Sequence, residues 1–401
     1  MATGWSRFAY RFGEYYRTAP SHELWMPPRL SHREWMFSRW DGRPPDRHRA
    51  FRSMQDLSRR LISDPPHSCF YSTAYYKEPE QRKMDEKGWQ GADLIFDLDG
   101  DHLPGVTDRD FPGMLDEIQI QAWRLWNDFL EPDFGFKEEH LQLSFSGHRG
   151  FHLHYRDPNL WSLDRDARRE LVSHITGDGI SVEAVLRGGE HGWRKRIEQG
   201  VFNVLGRLNK LNQGDESQRK VLRSFIESRK KAPDSQAKRV SNIELDDLAK
   251  KAQVTESRKR LMQPQYRRHV FGKRLNNIFW ELVRGDSNVI LADAGETDES
   301  VTVDIKRVIR WITSLHGKSG LRVTEFPLSR LDPDGSNPFD ALQETLPFGQ
   351  GSPQQLELKV DNITARIGDE EISGSTGQTV NANESLAMFL VLKGWAEPIS
   401  G

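Results

Sequence analysis

Cysteine is nearly absent from this chain, because Cys69 is the only one among its 401 residues. A single cysteine excludes a disulfide within the chain and any zinc site that needs several cysteine ligands. Long apolar runs are missing too, since no stretch reaches the roughly 18 residues that a membrane-spanning helix requires. The first residues contain no apolar signal region. These absences favour a cytoplasmic protein that has no membrane partner.

Several common catalytic motifs are also missing. There is no G-x-x-x-x-G-K-[ST] loop, which excludes a P-loop enzyme. There is no G-x-S-x-G elbow to support a hydrolase, and the 13 histidines include no H-E-x-x-H pair. The net charge of −2 does not decide for or against a nucleic-acid partner, because the distribution of charge is what counts. Basic residues cluster in 29–60 and in 219–260, where they could contact phosphates or form solvated surfaces.

The first part of the chain combines helical and strand patterns. Residues 1–60 are predicted to be helical, because apolar residues have helical spacing over 10–17 and 53–62. Apolar and polar residues alternate over 92–99, which predicts a strand. An amphipathic helix is predicted over 115–131.

The second part of the chain begins with a predicted hairpin over 141–155, in which two alternating segments flank a glycine-containing turn. Residues 188–262 are polar, highly charged and helix-forming, and we interpret them as an inserted helical subdomain. A helix is predicted over 305–315. The tail over 355–399 is predicted to form strands followed by a helix over 384–395.

Two carboxylates stand at the end of the predicted strand over 92–99. Asp97 and Asp99 alternate with Phe96 and Leu98, so both should project from one face of the strand. Their spacing of roughly 6–7 Å follows from a rise of about 3.3 Å per residue, and it suits two divalent ions about 4 Å apart. A polar strand end that precedes a turn is the alternative interpretation.

The turn of the predicted hairpin reads Ser-Gly-His-Arg-Gly-Phe-His over 146–152. Its glycines allow the backbone to approach a ligand, and its N–H groups could form an anion nest. Arg149 can form paired hydrogen bonds with phosphate oxygens, while Ser146 and His152 flank the turn and can share one face. An ordinary hairpin turn with exposed basic residues is the alternative.

A second glycine-containing segment, Ser-Leu-His-Gly-Lys-Ser-Gly, occupies 314–320. His316 and Lys318 follow the predicted helix that carries Arg310, where a helix C-terminus that favours cations would also explain them. The acidic run just upstream offers Asp298 as a third metal-binding carboxylate. Asp304 is the rival candidate, although a helix N-cap would explain it well. Carboxylates for metal ions together with cations for a triphosphate are what nucleotidyl transfer requires.

In order along the chain, these segments resemble the small, catalytic subunit of the archaeal and eukaryotic DNA primases, and their sequence is more similar to the archaeal members. The turn at 146–152 is similar to the family's Ser-Gly-x-Arg-Gly-x-His motif, and 314–320 to its Ser-Leu-His-Gly-Lys-Thr-Gly motif. The other matching segments are 33–37, 75–99, 298–313, 384–387 and 394–397.

The resemblance implies roles for individual residues. Asp97, Asp99 and Asp298 would hold two Mg²⁺ or Mn²⁺ ions, and the spacing from Asp298 to His316 fits the family better than that from Asp304. The residues implied to bind the incoming triphosphate are Ser146, His148, Arg149, His152, Arg310, His316 and Lys318. Glu34 and Arg47 match positions near the catalytic centre.

The resemblance also implies an α/β (α+β) fold with a mixed-sheet primase core. The core would comprise 1–187 and 263–401, interrupted by the helical insertion at 188–262. Many relatives carry a cysteine- and histidine-rich zinc knuckle after the catalytic pair, but 100–108 contain no cysteine, so zinc is not expected. The implied partners are a primase large subunit in a heterodimer, a single-stranded DNA template and nucleoside triphosphates.

The implied activity is template-directed synthesis of short primers in DNA replication. Two other functions stay open from the sequence. A related primase-polymerase of DNA repair or end joining would use the same chemistry in another role. A non-catalytic nucleic-acid-binding relative is disfavoured by the acidic residues, since carboxylates that face a phosphate backbone add little to binding.

Overall fold

The fold is described from a computed structural model. The described residues are 2–19, 22–100, 106–177, 185, 192–228, 240–253, 259–261, 270–287, 301–349 and 353–399. Helices and strands alternate irregularly along the chain, and the strands form several small sheets, so the predicted mixed α/β class is confirmed. No helix within the described ranges is long and apolar enough to cross a membrane.

The helices and strands have the following bounds. The α-helices are α1 (Ala2–Thr18), α2 (Met54–Ser63), α3 (Phe111–Arg124), α4 (Glu131–Phe134), α5 (Arg165–Thr176), α6 (Gly192–Asn212), α7 (Ser217–Ser228), α8 (Asn242–Ala252), α9 (Lys273–Ser287), α10 (Ala341–Glu344) and α11 (Glu384–Leu392). The strands are β1 (Trp35–Ser38), β2 (Asp46–Arg49), β3 (Ser68–Ser72), β4 (Ala74–Tyr76), β5 (Trp89–Ala92), β6 (Leu94–Asp99), β7 (Leu141–Phe145), β8 (Gly150–Tyr155), β9 (Val308–Arg310), β10 (Thr324–Phe326), β11 (Gln354–Leu358), β12 (Ile363–Ile367), β13 (Glu370–Gly374), β14 (Thr379–Ala382) and β15 (Ala396–Pro398).

Two four-stranded sheets carry the candidate site. The first has the order β2-β1-β3-β9 and the second the order β10-β7-β8-β6. Neighbouring strands are antiparallel in both sheets. One face of the second sheet packs into the main hydrophobic core through residues such as Phe96, Leu98 and Leu153. Ile95, on the other face, belongs to a second core that underlies the first sheet, so this face of β6 turns toward the first sheet.

A buried ion-pair network joins the two sheets where β6 begins. Asp93 is fully buried, and its carboxylate lies 2.8 Å from Nη2 of Arg33 and 3.3 Å from Nε of Arg156. Tyr75 donates a hydrogen bond of 2.6 Å to the same carboxylate. Arg33 leads into β1, and Arg156 follows β8. The network therefore fixes the start of β6 against the segment that precedes β1.

The helices predicted as an insertion pack on one another and on a helix beyond it. The long helix α6 contacts α7 and α8, and all of them adjoin α9, which begins at Lys273. Apolar residues of these helices, including Val204 and Leu208, belong to the main core. Helix α8 begins with a capping box between Ser241 and Glu244. The borders of the insertion, 188 and 262, lie outside the described residues and stay a prediction.

The first sixty residues differ from the prediction in their middle. Helices α1 and α2 confirm the helical spacing, but β1 and β2 lie between them. In β1, Trp35 and Phe37 are buried while Met36 and Ser38 are half-buried, which is the alternation of a strand. The alternation is hard to recognise in the sequence, because the aromatic residues of this segment could be buried equally well from a helix or from a strand.

The predicted helix over 305–315 is wrong. Residues Val308–Arg310 form the edge strand β9, and Arg310 pairs with Phe70 of β3. The chain then turns at Thr313, whose φ of 73° is incompatible with a right-handed helix. Asp304 does not cap a helix either, since its carboxylate accepts a hydrogen bond of 2.9 Å from the backbone of Lys306 in a turn. The other predicted elements, namely the strand over 92–99, the helix over 115–131, the hairpin and the helix near the C-terminus, are confirmed.

Candidate active site

Asp97 and Asp99 lie at the end of β6 and project from one face, as predicted. Their partners in β8 are His152 and Gly150. Leu98, between them, is fully buried on the opposite face, whereas both aspartates are only half-buried. The apolar side chains anchor the strand, and the two carboxylates are left accessible at its end. Half-buried carboxylate oxygens are the hard donors that Mg²⁺ and Mn²⁺ prefer, so the donor set fits such ions.

The turn between β7 and β8 is held together from within. The hydroxyl oxygen of Ser146 accepts hydrogen bonds from the backbone N–H of His148 and of Gly150, at 3.4 and 3.1 Å. These two N–H groups are engaged inside the turn, so the predicted anion nest is not formed by them. Gly147 has a φ of +82°, and an added Cβ there would lie 2.9 Å from the Cβ of His316. Gly147 is therefore required for the close approach of the two candidate loops, which are the segments 146–152 and 314–320.

Arg149 and His152 extend from this hairpin toward the carboxylates. Nε of Arg149 lies 3.5 Å from Oδ1 of Asp99, and Nε2 of His152 lies 3.4 Å from Oδ1 of Asp97. Burial and the nearby Arg310 lower the pKa of His152 to about 3, so its ring is neutral near pH 7. A neutral ring can donate one hydrogen bond to an anion without adding charge.

Arg310 reaches the same place from the first sheet. Its guanidinium lies over the ring of Phe70, 4.8 Å from the centroid. Burial lowers the pKa of Arg310 to about 10, and the charges of Asp97 and Asp99 act in the opposite direction. Arg310 therefore stays charged at neutral pH, and it lies close enough to both carboxylates for their charges to raise its pKa. The predicted residue is in the site, although it comes from a strand and not from a helix.

The second glycine-containing segment packs directly on the first. The rings of His148 and His316 are stacked, with centroids 4.7 Å apart. The backbone N–H of Lys318 donates to Nδ1 of His316 at 3.1 Å, so the proton of the neutral ring lies on Nε2. Burial and Arg310 hold the pKa of His316 well below its ordinary value. The Lys318 side chain is exposed, and its ammonium can reach a ligand from the solvent side.

Lys393 is a neighbour of the site that the sequence patterns did not indicate. It follows α11 and its side chain is only 5% exposed. Its ammonium lies 3.3 Å from Nε2 of His148 and 3.4 Å from a carboxylate oxygen of Asp108. It also lies over the ring of Trp395, 4.6 Å from the centroid. Because an ammonium only donates, Nε2 of His148 must accept, which places the proton of this ring on Nδ1.

Replacing Lys393 with methionine is expected to raise the pKa of His148. Burial is the main cause of the low pKa of His148, and the charge of Lys393 is the next. The shift can be followed by NMR titration of the imidazole resonances. The matched control is Lys359→Met, since Lys359 lies on the surface beside Glu357. An unchanged titration of His148 in the Lys393 variant would contradict the contact.

Glu34 and Arg47 form an ion pair, Glu34 directly before β1 and Arg47 on the edge strand β2. Nε of Arg47 lies 2.6 Å from Oε1 of Glu34, and Nδ1 of His48 lies 3.2 Å from the same oxygen. Glu34 is fully buried, and the buried ammonium of Lys87 lies 3.4 Å from its other oxygen. Arg47 is on β2 and Arg310 is on β9, at opposite edges of the sheet. Three strand spacings of about 4.8 Å separate the backbones of these two strands by roughly 14 Å, and the implied place of Glu34 and Arg47 near the catalytic centre stays a prediction.

The third predicted metal ligand, Asp298, lies outside the described residues. Within the described part of the chain, no group of three or more histidine, cysteine, aspartate or glutamate side chains is arranged to hold a metal ion. The described residues thus supply two carboxylates, Asp97 and Asp99, and the complete ligand set stays a prediction.

Two histidines, the buried His152 and the half-buried His67, predict a loss of stability in acid. The pKa values of His152 and His67 are lowered to about 3 and 4, mainly by burial. In the unfolded chain both titrate near 6.5, so below that pH the unfolded state binds protons that the folded state does not. At pH 5.0 each histidine should therefore lower the free energy of unfolding by about 2 kcal/mol relative to pH 7.5. Urea unfolding at the two pH values measures this.

His67→Gln is the matched variant for the acid effect. The difference in the free energy of unfolding between pH 7.5 and pH 5.0 should be about 2 kcal/mol smaller in this variant than in the wild type, because glutamine does not titrate. Equal stability of the wild-type protein at both pH values would contradict the lowered pKa values of these rings. A variant with the full pH dependence of the wild type would contradict the assignment to His67.

Comparison with known proteins identifies the family. A family model described as the DNA primase small subunit matches residues 96–328, which include both carboxylates and both candidate loops. The DNA primase small subunit PriS of Methanocella arvoryzae is 33% identical, with 96% of each chain covered. PriS of Methanothrix thermoacetophila is 34% identical, over 96% of this chain and 97% of the relative. The chain belongs to the DNA primase small subunit family.

Proposed function

We propose that this chain is the catalytic subunit of a DNA primase. It synthesises short primers de novo on single-stranded DNA from nucleoside triphosphates, in DNA replication. The observation that carries the proposal is the convergence of two kinds of group. Asp97 and Asp99 project from the end of β6, and Arg310 from the first sheet and Arg149 from the hairpin approach them. Membership of the DNA primase small subunit family supports the same conclusion.

The carboxylates would hold two Mg²⁺ or Mn²⁺ ions together with Asp298. When bound, such ions lower the pKa of an attacking hydroxyl and neutralise the leaving group. Zinc is not proposed for this chain. The half-buried position of Asp97 and Asp99 supports a role as ligands, since their oxygens are accessible from one side while their strand is anchored from the other.

The protein side chains would position the triphosphate. Arg149 and Arg310 provide permanent positive charge for phosphate oxygens, and bidentate contacts of this kind fix orientation as well as affinity. His152 and His316 are neutral and would donate from a ring N–H, while Ser146 keeps a hydroxyl proton that it can donate. His148 and Lys318 would support this arrangement from the second loop.

In the reaction, the 3′-oxygen of one nucleotide attacks the α-phosphorus of the next nucleoside triphosphate in line. A P–O bond forms to the 3′-oxygen, whose hydroxyl proton passes to water, while the bond from the α-phosphorus to the β-phosphate oxygen breaks and pyrophosphate leaves with the charge that the cations have stabilised. The cations must therefore be arranged before the substrate arrives, because preorganised charge costs no reorganisation at the moment of reaction. The close packing of 146–152 on 314–320 at Gly147 supports this proposal, because it holds the two segments together before a substrate binds.

The proposal includes a heterodimer with a primase large subunit and a cytoplasmic location. Size-exclusion chromatography of the chain with a primase large subunit from the same source tests the partnership. A stable complex is expected. A chain that stays monomeric and is fully active alone would count against the partner.

The activity is tested by incubating the chain with unprimed single-stranded DNA, labelled nucleotides and Mg²⁺ or Mn²⁺. Short products that require no primer support the proposed function. If only a supplied primer is extended, also in the presence of the large subunit, a repair or end-joining polymerase is favoured. DNA binding without synthesis under either condition would favour a non-catalytic nucleic-acid-binding protein.

A further inference from the structure

An arginine-rich cleft opens along the edge strand β2, on the same sheet as Arg310. One wall is β2 with the segment before it, and the other is the segment between β4 and β5. We call it the arginine cleft. Its lining residues are Arg39, Pro45, Asp46, Arg47, His48, Arg49, Glu80 and Arg82. Four arginines thus face two carboxylates, and a concave surface of this charge favours a ligand with several negative charges.

Two of the arginines are neutralised locally and two are not. Nε of Arg49 lies 2.8 Å from Asp46, and Nε of Arg47 lies 2.6 Å from Glu34. Neither Arg39 nor Arg82 has a carboxylate within salt-bridge distance among the residues that the structure describes. Arg82 is exposed and Arg39 is half-buried. These two guanidinium groups are therefore available to phosphate oxygens, which they can bind by paired hydrogen bonds.

A buried carboxylate holds the two walls of the arginine cleft together. Glu34 contacts Arg47 and His48 of one wall and the ammonium of Lys87 behind the other. Lys87 also donates to the backbone oxygen of Pro79 in that wall. His48 has a φ of 63°, an uncommon conformation for a residue other than glycine, which persists only where its surroundings impose it. Buried contacts therefore fix the shape of the arginine cleft.

A half-open surface connects the arginine cleft to the carboxylates. Met36 of β1 and Phe70 of β3 are paired neighbours, and Phe70 is paired in turn with Arg310 of β9. Directly paired residues share a face of a sheet, so these side chains form one row that leads from Arg310 toward β2. Met36 and Phe70 are half-buried. An apolar and aromatic strip of this kind tolerates any base that lies against it.

We infer that the arginine cleft binds the sugar-phosphate backbone of the single-stranded DNA that the enzyme copies. The inference rests on the proposed function. It favours a DNA strand over a free nucleotide, because Arg310 and the arginine cleft lie on opposite edge strands of the sheet, whose backbones three strand spacings separate by roughly 14 Å. A DNA strand can place phosphates both at Arg310 and in the arginine cleft. A nucleotide whose triphosphate lies beside Asp97 has no further phosphate to place in the cleft. Glu34 acts in this arrangement as a positioning residue for the cleft.

The test compares the double variant Arg39→Gln/Arg82→Gln with the wild-type chain. The probe is a fluorescently labelled oligodeoxythymidine, and its dissociation constant is measured by anisotropy over a series of salt concentrations. Loss of two phosphate contacts should weaken binding roughly tenfold and reduce the slope of log K against log salt by about 1.4. In primer synthesis, the apparent KM for the template should rise more than the apparent KM for the nucleotide.

The matched control is Arg17→Gln/Arg165→Gln, which removes the same charge from two exposed arginines on α1 and α5. Binding and primer synthesis by this control should equal those of the wild type. An unchanged dissociation constant and salt slope in the cleft variant would overturn the inference. So would a rise in the nucleotide KM alone, which would assign the cleft to a free nucleotide. A wild type whose oligonucleotide binding depends on Arg39 and Arg82 but that makes no product would overturn the proposed function and leave the arginine cleft as a binding site for single-stranded DNA.

Discussion

Replacement of Asp97 by asparagine is expected to abolish primer synthesis while the fold stays intact. The carboxylate lies at the end of β6, and amide substitution keeps its size but removes the charge that a metal ion requires. Metal ions of this kind provide several kcal/mol of transition-state stabilisation, and a loss of about 4 kcal/mol corresponds to a rate roughly 1,000-fold lower. The measurement is the initial rate of nucleotide incorporation on unprimed single-stranded DNA with saturating Mn²⁺.

The Asp97 experiment has an internal comparison and a control. Asp99→Asn should cause a loss of the same order, because both carboxylates project from one face of the strand. Asp166→Asn is the control, since its side chain is 86% exposed on α5. It should leave the rate unchanged. A rate within a few-fold of the wild type for either strand variant would show that the carboxylates are not the metal ligands.

Substitution of Asp93 by asparagine, four residues earlier, is expected to damage the fold. Asp93 is fully buried between Arg33 and Arg156. The amide would leave the buried guanidinium of Arg33 and the half-buried guanidinium of Arg156 without their shared counterion, and removal of one partner of a buried ion pair costs about 3–5 kcal/mol. Urea unfolding at pH 7.5, followed by circular dichroism, measures the change in the free energy of unfolding.

The two variants are therefore expected to differ: Asp97→Asn should lose activity and keep most of its stability, whereas Asp93→Asn should lose stability. Asp97→Asn should lower the free energy of unfolding much less than Asp93→Asn does, because the Asp97 carboxylate is only half-buried whereas Asp93 is fully buried. Asp93→Asn should unfold far more easily. Equal stability of the two variants would contradict the ion-pair network as the element that fixes β6.

The strand and the hairpin of the site could be predicted from the sequence because both bury one face only. Leu94, Phe96 and Leu98 enter the core while Asp97 and Asp99 do not, and that alternation with a period of two is visible in the sequence. The pairing of Asp97 with His152 was not predictable. It depends on the register of β6 against β8, which only the packed sheet defines.

The segment around Arg310 could not be predicted, since its apolar residues fit two structures. Ile309, Ile312 and Leu315 have the spacing of a helix face, yet they are buried from a short edge strand and the turn after it. The pairing of Arg310 with Phe70 of β3, some 240 residues away, decides between the two. Tertiary pairing overrides local spacing for an element of three residues.

Other contacts of the site come from parts of the chain that no motif connects. Lys393 reaches His148 from the C-terminal end of α11. Glu34, which the resemblance matches to the surroundings of the catalytic centre, also makes buried contacts with Arg47 and Lys87 behind the arginine cleft. In both cases the residue type is informative only once its neighbours are known.

Binding of Mn²⁺ tests the central claim most directly. The chain is titrated with Mn²⁺ in the presence of a non-hydrolysable nucleoside triphosphate, and free Mn²⁺ is followed by electron paramagnetic resonance. Two ions per chain are predicted for the wild type, with at least one lost or strongly weakened in Asp97→Asn and in Asp99→Asn. Binding that is identical in the wild type and in both variants would contradict a metal site at the end of β6.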